Sequence, residues 1–558
     1  MKKIYFLSIL LAGTTAVSAQ QNFKKGGSEM AVPASLSETH SPSALRGPSA
    51  SSVQYYNDII IEPAATVNQR RVRISVAFNG WLYAAYNTFD TVNGFGGITI
   101  RKSTDGGLSW STMDNYSVPS TEYPAFDIVV AGTDTNNLVL YNCGINHNTS
   151  NGNYVLFIDR YNATTGSFIG SNYNLQNGTR PVYDVALASD YRFPAVNASP
   201  YSLGLLYSTY SSSYDSIVFL GSIDGGSSWG VRQPVATTTS YNRKVSIAYG
   251  RSSSASNGRY FGAWEQIATS GARNGHIYTS RSQTTVDGSW VTPVNLDSVS
   301  AAMINLCRNP EIAVQFNNVD NDSSSCTAVV LCERDYIGNG SDYDLLGFYN
   351  KRAHFTNFWN RLDIVNSSEN DLQPDISYDP GYNNFLAVYY DSTNGKLPYL
   401  VNNMNLTSPN TWITITPQYN DVTTNLKAAW PRVEINPVVN QTAHAWIAES
   451  GTRGVAMFDA EYLVTSIQNS EAATISGLYP NPAAGVFNLN YNVNNEGPVV
   501  LTVYNALGEI VEIRQPSVAG NGSYTEQFDA SQWANGFYTI TIRCNGTVSS
   551  ARMIVSHQ

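Results

Sequence analysis

The sequence predicts an all-β fold: a seven-bladed β-propeller, with six blades as the alternative count, followed by a small Ig-like β-sandwich. Three observations carry this expectation. No window shows sustained apolar spacing at i, i+3, i+4 and i+7, so amphipathic helices are not expected. A two-strand unit recurs seven times through the body of the chain. The remainder, from Ser476 onward, breaks into short alternating strands divided by Gly, Asn and Pro turns.

The elements follow in chain order. Residues 1–19 open on Lys2 and Lys3, run through the apolar stretch Ile4 to Ala12 and end in Val17-Ser18-Ala19. That is the pattern of a secretory signal peptide. No Cys follows the expected cut, which argues against a lipid anchor there. Residues 20–52, rich in Ser, Ala and Pro, are expected to form a flexible leader. No later stretch approaches the roughly 18 apolar residues that a spanning helix needs.

Residues 53–463 hold the repeat. Its second strand reads LYAAYNT from Leu82, LVLYNCG from Leu138, LGLLYST from Leu203, YFGAWEQ from Tyr260, AVVLCER from Ala328, FLAVYYD from Phe385 and AHAWIAE from Ala443. Each is preceded by another strand, often led by Pro or Arg, as in RVRISVA, PEIAVQF and PRVEINP. Marked at Arg73, Phe126, Asp184, Val245, Ile312, Asp375 and Val433, the repeats lie 53 to 67 residues apart. That period fits a four-stranded antiparallel blade with generous loops. The last repeat shows three strands, and the early segment Asp58 to Glu62 is expected to supply the fourth, closing the ring and removing its edges.

Two repeats carry a sharper signature, Ser103-x-Asp105-x-Gly107-x-x-Trp110 and Ser222-x-Asp224-x-Gly226-x-x-Trp229. A degraded third copy stands at Thr285-Val286-Asp287-Gly288-Ser289-Trp290. The physics is local: Asp accepts backbone N–H groups across a tight turn, Gly takes the positive φ, and Trp packs between blades. The signature resembles the Asp-box of sialidases and other propellers. By that resemblance it is a structural staple between the third and fourth strands, and its Asp residues are not catalytic.

A linker is expected at 464–475, and the final module at 476–558. The module carries YPNP from Tyr479, Gly485 before a strand, VYNALGE from Val503, Asp529-Ala530-Ser531, NGFYTITI from Asn535 and the basic Arg552. It has one His, His557, near its end and one Cys, Cys544. This set of motifs resembles the C-terminal sorting domain of type IX secretion substrates of Bacteroidetes. The resemblance implies docking on the outer-membrane secretion machinery and cleavage near Ile467 to Thr474. The upstream part would then be secreted or held at the outer cell surface, after crossing the periplasm.

Composition narrows the partners. Charged residues make up 13% against a typical value of roughly 25%. The formal charge is −10 without basic runs, which argues against nucleic acid or an anionic membrane as partner. The six His are scattered without ligand spacing, so neither a metal nor a cofactor is expected. Asp320-Asn321-Asp322 and Asp342-Tyr343-Asp344 read as polar turns. Cys307, Cys326 and Cys332 lie close together, leaving one bridge or buried free thiols both open.

The starts of the innermost strands gather Arg71, Arg73, Arg180, Arg243, Arg308 and Arg432, with Glu311 and Asp375 among them. Bidentate Arg groups suit carboxylate or sulfate, and Arg73, Arg180, Arg243, Arg308 and Arg432 are the candidate ligand-binding residues. The competing expectation is that they neutralise Glu122, Asp184 and Asp375. The sialidase resemblance would call for three Arg, a Tyr–Glu nucleophile pair and an Asp acid/base. No such Tyr–Glu pair stands out, and the first innermost strand reads RVRIS where that family has Phe-Arg-Ile-Pro; Arg192-Phe193-Pro194 falls mid-chain. Non-catalytic binding of glycan or protein is therefore the first expectation, and a sialidase-like glycoside hydrolase or polysaccharide lyase at the propeller mouth is the alternative. No catalytic residue is named.

Overall fold

The computed structural model describes most of residues 54–557, leaving out 1–53, 463–472 and shorter internal stretches such as 191–200, 317–325, 403–411 and 416–425. The signal peptide, the leader, Arg192-Phe193-Pro194, Asp320-Asn321-Asp322 and the Asp287-Gly288 step of the third box therefore lie outside the described residues, as does most of the expected cleavage segment. The chain divides into two compact units, one holding Tyr55–Tyr462 and the other Leu463–Gln558.

The first unit contains seven antiparallel sheets among the described residues. Their innermost strands are Asn68–Val76, Phe126–Gly132, Val182–Ser189, Tyr241–Gly250, Cys307–Val314, Asp371–Asp379 and Arg432–Asn436. The sheets are numbered one to seven in that order. All seven of the quoted repeats fall on second strands, from Leu82–Asp90 through Gln441–Ser450. Each innermost strand packs on that of the next sheet, and Arg432–Asn436 packs on Asn68–Val76, so the circle is closed. Ile59–Ile60 runs antiparallel to Arg453–Tyr462, bringing the start of the unit into the seventh sheet. Glu62 then ties this segment to the first sheet, accepting from Tyr86 at 2.8 Å and Arg101 at 2.9 Å.

Apolar side chains fill each gap between neighbouring sheets. Tyr83, Ile98 and Phe126 join sheets one and two; Leu82, Tyr86 and Phe458 join seven and one. Strands in such sheets are buried on both faces, which is why the second strands read as near-continuous apolar runs without alternation. The five Cys are buried within these layers and the sandwich core, and none is bridged.

The innermost strands pose a separate problem, because no strand lies beyond them to take their outward N–H groups. Side-chain oxygens from the preceding sheet supply the acceptors. Val130 donates to Ser75 Oγ at 3.0 Å, Leu187 to Asp127 Oδ2 at 2.9 Å and Val245 to Asp184 Oδ2 at 3.0 Å. Ile312 donates to Ser246 Oγ at 3.1 Å, and Val433 to Asp375 Oδ2 at 2.8 Å. Short polar residues on these strands are thus ring fasteners.

Both intact Asp-boxes link a third strand to a fourth. Asp105 Oδ1 accepts from Ser103 Oγ at 2.7 Å and from Ser109 N at 3.0 Å, while Gly107 N donates to Ser103 Oγ at 2.8 Å. The second box repeats this with Ser222, Asp224, Gly226 and Ser228. Trp110 meets Phe458 of the seventh sheet edge-on, and Trp229 packs on the layer between sheets two and three. Gly107 has φ 97° and sits flat against the Phe458 ring, so a methyl there would strike the ring.

The second unit is a sandwich of a three-stranded and a four-stranded sheet. Its first strand, Ala473–Tyr479, starts three residues before the expected boundary at Ser476 and takes in the end of the expected linker 464–475. The reason is pairing: Ala473 lies opposite Val493 and completes the sheet edge. Phe487, Leu489, Tyr491 and Val493 alternate inward, against Leu501, Val503, Ile540 and Ile542. Two motif residues act as turn staples. Asn481 accepts from Ile554 N at 2.9 Å and donates to Arg552 O at 3.1 Å, and Asp529 accepts from Ser531 N at 2.9 Å.

Gly107→Ala is expected to destabilise the chain by about 1–3 kcal/mol more than Gly152→Ala, as overpacking does. Gly152 has φ 72° but open space around it, so comparing the two variants by chemical denaturation isolates the contact with Phe458. Equal losses would show that the box is not braced against its neighbour.

Candidate functional site

The innermost strands begin irregularly, and that irregularity builds the site. Register shifts interrupt them between Gln69 and Arg71, Val182 and Asp184, Arg243 and Val245, Arg308 and Glu311, and Leu372 and Asp375. Within three of these bulges Lys244, Asn309 and Gln373 hold φ of 48°, 49° and 55°; Trp430, two residues before Arg432, holds 43°. Bulges re-aim side chains, and these five fall at the starts of the innermost strands.

Below the mouth the axial channel encloses a cavity of about 110 Å³, lined by residues of all seven innermost strands. Arg432 Nη1 lies 2.8 Å from both Glu311 Oε1 and Asp375 Oδ1. Burial pulls the Arg432 pKa down, but these two carboxylates more than offset it and the net shift is upward. Burial pushes Asp375 up to about 6 against the pull of Arg432. Arg73 lies 3.5 Å from Asp127 and donates to Phe126 O at 3.3 Å. Its pKa is lowered, by burial first and then by Arg432.

At the mouth a second network joins sheets four to seven. Glu333, fully buried, accepts from Arg308 Nε at 2.5 Å, Asn309 Nδ2 at 2.6 Å and Gln373 N at 2.7 Å. Asn309 N donates to Glu265 Oε2 at 3.2 Å, and Trp430 N donates to Gln373 Oε1 at 2.8 Å. Burial pushes Glu265 up to about 7, only partly opposed by the Asn309 N–H and by Lys244.

Two cations lie over the Trp430 ring. The Arg71 guanidinium lies 4.8 Å from its centre and Lys244 Nζ lies 5.2 Å away. Sheets seven and four are not neighbours, so the Lys244–Trp430 contact spans the mouth. Burial lowers the pKa of both Arg71 and Lys244, with Asp184 acting against it. Arg243 stacks on Tyr183 and Tyr241 at 5.1 and 5.8 Å, and Arg308 on Tyr343 at 3.7 Å.

The five candidate Arg residues therefore separate. Arg73 and Arg432 lie in the channel beside carboxylates, and Arg308 lies at the mouth paired with Glu333. Arg243 stands at the rim on aromatic rings, and Arg180 is exposed before the third innermost strand. Of the acids weighed as their neutralisers, Asp375 pairs with Arg432, and Glu122 lies 4.0 Å from Arg70. Lys244, Glu265, Glu333, Asn309, Gln373 and Trp430 were not singled out from sequence. Two signals were available: Glu stands only in YFGAWEQ and AVVLCER at that step of the repeat, and a residue-Pro step stands at or just before the start of five innermost strands, Asn309-Pro310, Gln373-Pro374 and Trp430-Pro431 among them. Among the described residues no group of three His, Cys, Asp or Glu is placed to hold a metal ion.

Arg432→Met is expected to cost about 3–5 kcal/mol in chemical denaturation, since it strands Glu311 and Asp375 in the channel. A loss below about 1 kcal/mol would mean that the pair is solvated. Glu265 gives a pH signature. Its folded pKa of about 7 exceeds the ordinary 4.5, so its favourable contribution is complete below 4.5 and is lost as pH rises through 7. Relative to Glu265→Gln, the native chain should lose thermal stability across that window; a pH-independent difference in Tm would contradict the burial effect.

Comparison with known proteins adds the following. Residues 477–556 match the family described as Secretion system C-terminal sorting domain. Comparison with curated proteins gives no match. Among solved structures, the chain is similar to an α-L-arabinanase of Penicillium chrysogenum at 12% identity, covering 73% of this chain and 98% of that one, with a TM-score of 0.41. A protein of unknown function from Dyadobacter fermentans is 13% identical, with 73% and 99% covered and a TM-score of 0.41. A Trypanosoma rangeli sialidase mutant is 11% identical, with 92% and 88% covered and a TM-score of 0.34. With every score below 0.5, no residue correspondence follows from these likenesses.

Proposed function

We propose that this chain is an exported binding protein. Residues 1–19 direct it across the inner membrane and the sorting domain hands it to the type IX secretion machinery. The ring, about 53–463, then binds a glycan or a surface protein at its mouth without transforming it. Cleavage before the sandwich leaves the ring in the medium or at the outer cell surface. The match of residues 477–556 to a secretion sorting domain supports the export half.

The binding half rests on how the charges at the mouth are disposed. Glu333 is saturated by three donors, and Glu311 and Asp375 are taken by Arg432. These three carboxylates are thus engaged and not free to act as the acid/base pair that glycoside hydrolysis uses. Arg71, Lys244 and Arg243, by contrast, have no carboxylate within 4.0 Å among the described residues and rest on aromatic faces. Groups held in place but not neutralised suit recognition.

One observation favours the hydrolase alternative. Glu265, held near 7 beside the mouth, is a carboxyl suited to proton donation at neutral pH. Activity on a panel of arabinans, sialosides and acidic polysaccharides decides between the two readings. No turnover by the purified chain is the expected result, and turnover abolished in Glu265→Gln would replace binding with hydrolysis. Export has its own test. Removing Ser476 onward should leave the protein in the periplasm, and normal appearance of the truncated chain outside the cell would refute the sorting role.

A further inference from the structure

The geometry points to a specific ligand chemistry: we propose that the mouth recognises an anionic saccharide, whose carboxylate or sulfate is gripped by Arg71 and Lys244 above the Trp430 ring. This rests on the reading of the mouth as the binding site and names what that site takes.

Cations in the ring are held in two ways. Arg73 and Arg432 in the channel stand against Asp127, Glu311 and Asp375, which balance their charge. Arg71 and Lys244 are held by an aromatic ring, which fixes a cation without cancelling its charge. Both are half-buried, and Arg71 lies near enough to Lys244 to weaken its charged form. The one carboxylate that favours both, Asp184, already accepts the Val245 N–H through Oδ2. Two crowded cations short of acceptors lower their energy when an anion arrives from solution.

The support beneath them is over-determined. Trp430 adopts φ 43°, uncommon for a bulky residue, and its N–H is fixed by Gln373, itself at φ 55°. The indole reaches from the seventh sheet to the cation of the fourth, so it forms a floor across the opening. A floored site takes a compact group in preference to a passing peptide strand.

The neighbours favour a sugar over an acidic peptide. Glu265 adjoins Lys244 and is tied to Asn309, and its carboxyl can hydrogen-bond the hydroxyls that a sugar carries and an acidic peptide lacks. Asn309 adds polar surface beside it.

The test is isothermal titration of the full chain with polygalacturonate, heparin and dextran, repeated with Lys244→Met and Arg71→Met after thermal melting shows each variant folded. Polygalacturonate or heparin should bind, weaken with added salt, and lose at least about tenfold in affinity in either variant, as lost charge-assisted contacts do. Lys244→Arg should retain most of the binding. Binding of heparin alone identifies sulfate, because both polymers carry carboxylates; binding of polygalacturonate identifies carboxylate. Equal binding of dextran, unaffected by Lys244→Met but lost in Trp430→Ala, overturns the anionic assignment and leaves the mouth as the binding site. Binding of none of the three, or binding indifferent to Trp430→Ala, overturns both. Poly-glutamate bound as tightly, with the same sensitivity to Lys244→Met, overturns the saccharide assignment.

Discussion

Seven innermost strands meet around one axis, and none has a strand beyond it to satisfy its outer edge. The acceptance of those edge N–H groups by short side chains of the preceding sheet is the constraint on which the ring depends. Asp127, Asp184 and Asp375 perform it with carboxylates, Ser75 and Ser246 with hydroxyls. A carboxylate in that position is buried and needs a counter-charge. The channel arginines follow from this: Arg432 faces Asp375 and Arg73 faces Asp127. Part of the basic enrichment on these strands is therefore a consequence of closing the ring.

The mouth obeys a different logic. Bulges push Lys244, Asn309 and Gln373 out of the ladder and into left-handed backbone, which the surrounding hydrogen bonds hold in place. The cations that emerge there rest on Trp430, Tyr183, Tyr241 and Tyr343. The channel arginines stand against carboxylates, whereas Arg71, Lys244 and Arg243 rest on aromatic rings.

Much of the fold was legible because it is written in period. Apolar second strands recur at 53 to 67 residues, and a strand buried on both faces must be apolar throughout. The Asp-boxes were legible because their chemistry is local: Ser, Asp and Gly lie within four residues of one another. The sandwich was legible as alternation, although its first strand was missed at Ala473, whose place is decided by pairing with the distant Val493. The candidate site was legible only in part. Arginines could be counted, but Arg73 and Arg243 look alike in sequence while one faces Asp127 in the channel and the other rests on Tyr183 and Tyr241 at the rim.

The sequence by itself determined the repeat, the two box turns and the alternating strands of the terminal sandwich, because each depends on spacing within one short segment. Tertiary structure alone decided which charges meet. Lys244 and Trp430 are 186 positions apart and belong to opposite sides of the ring, so their contact exists only once seven sheets have closed. A bulge of one residue then sets whether a side chain enters the channel or the mouth, and that choice is made by packing between neighbouring strands.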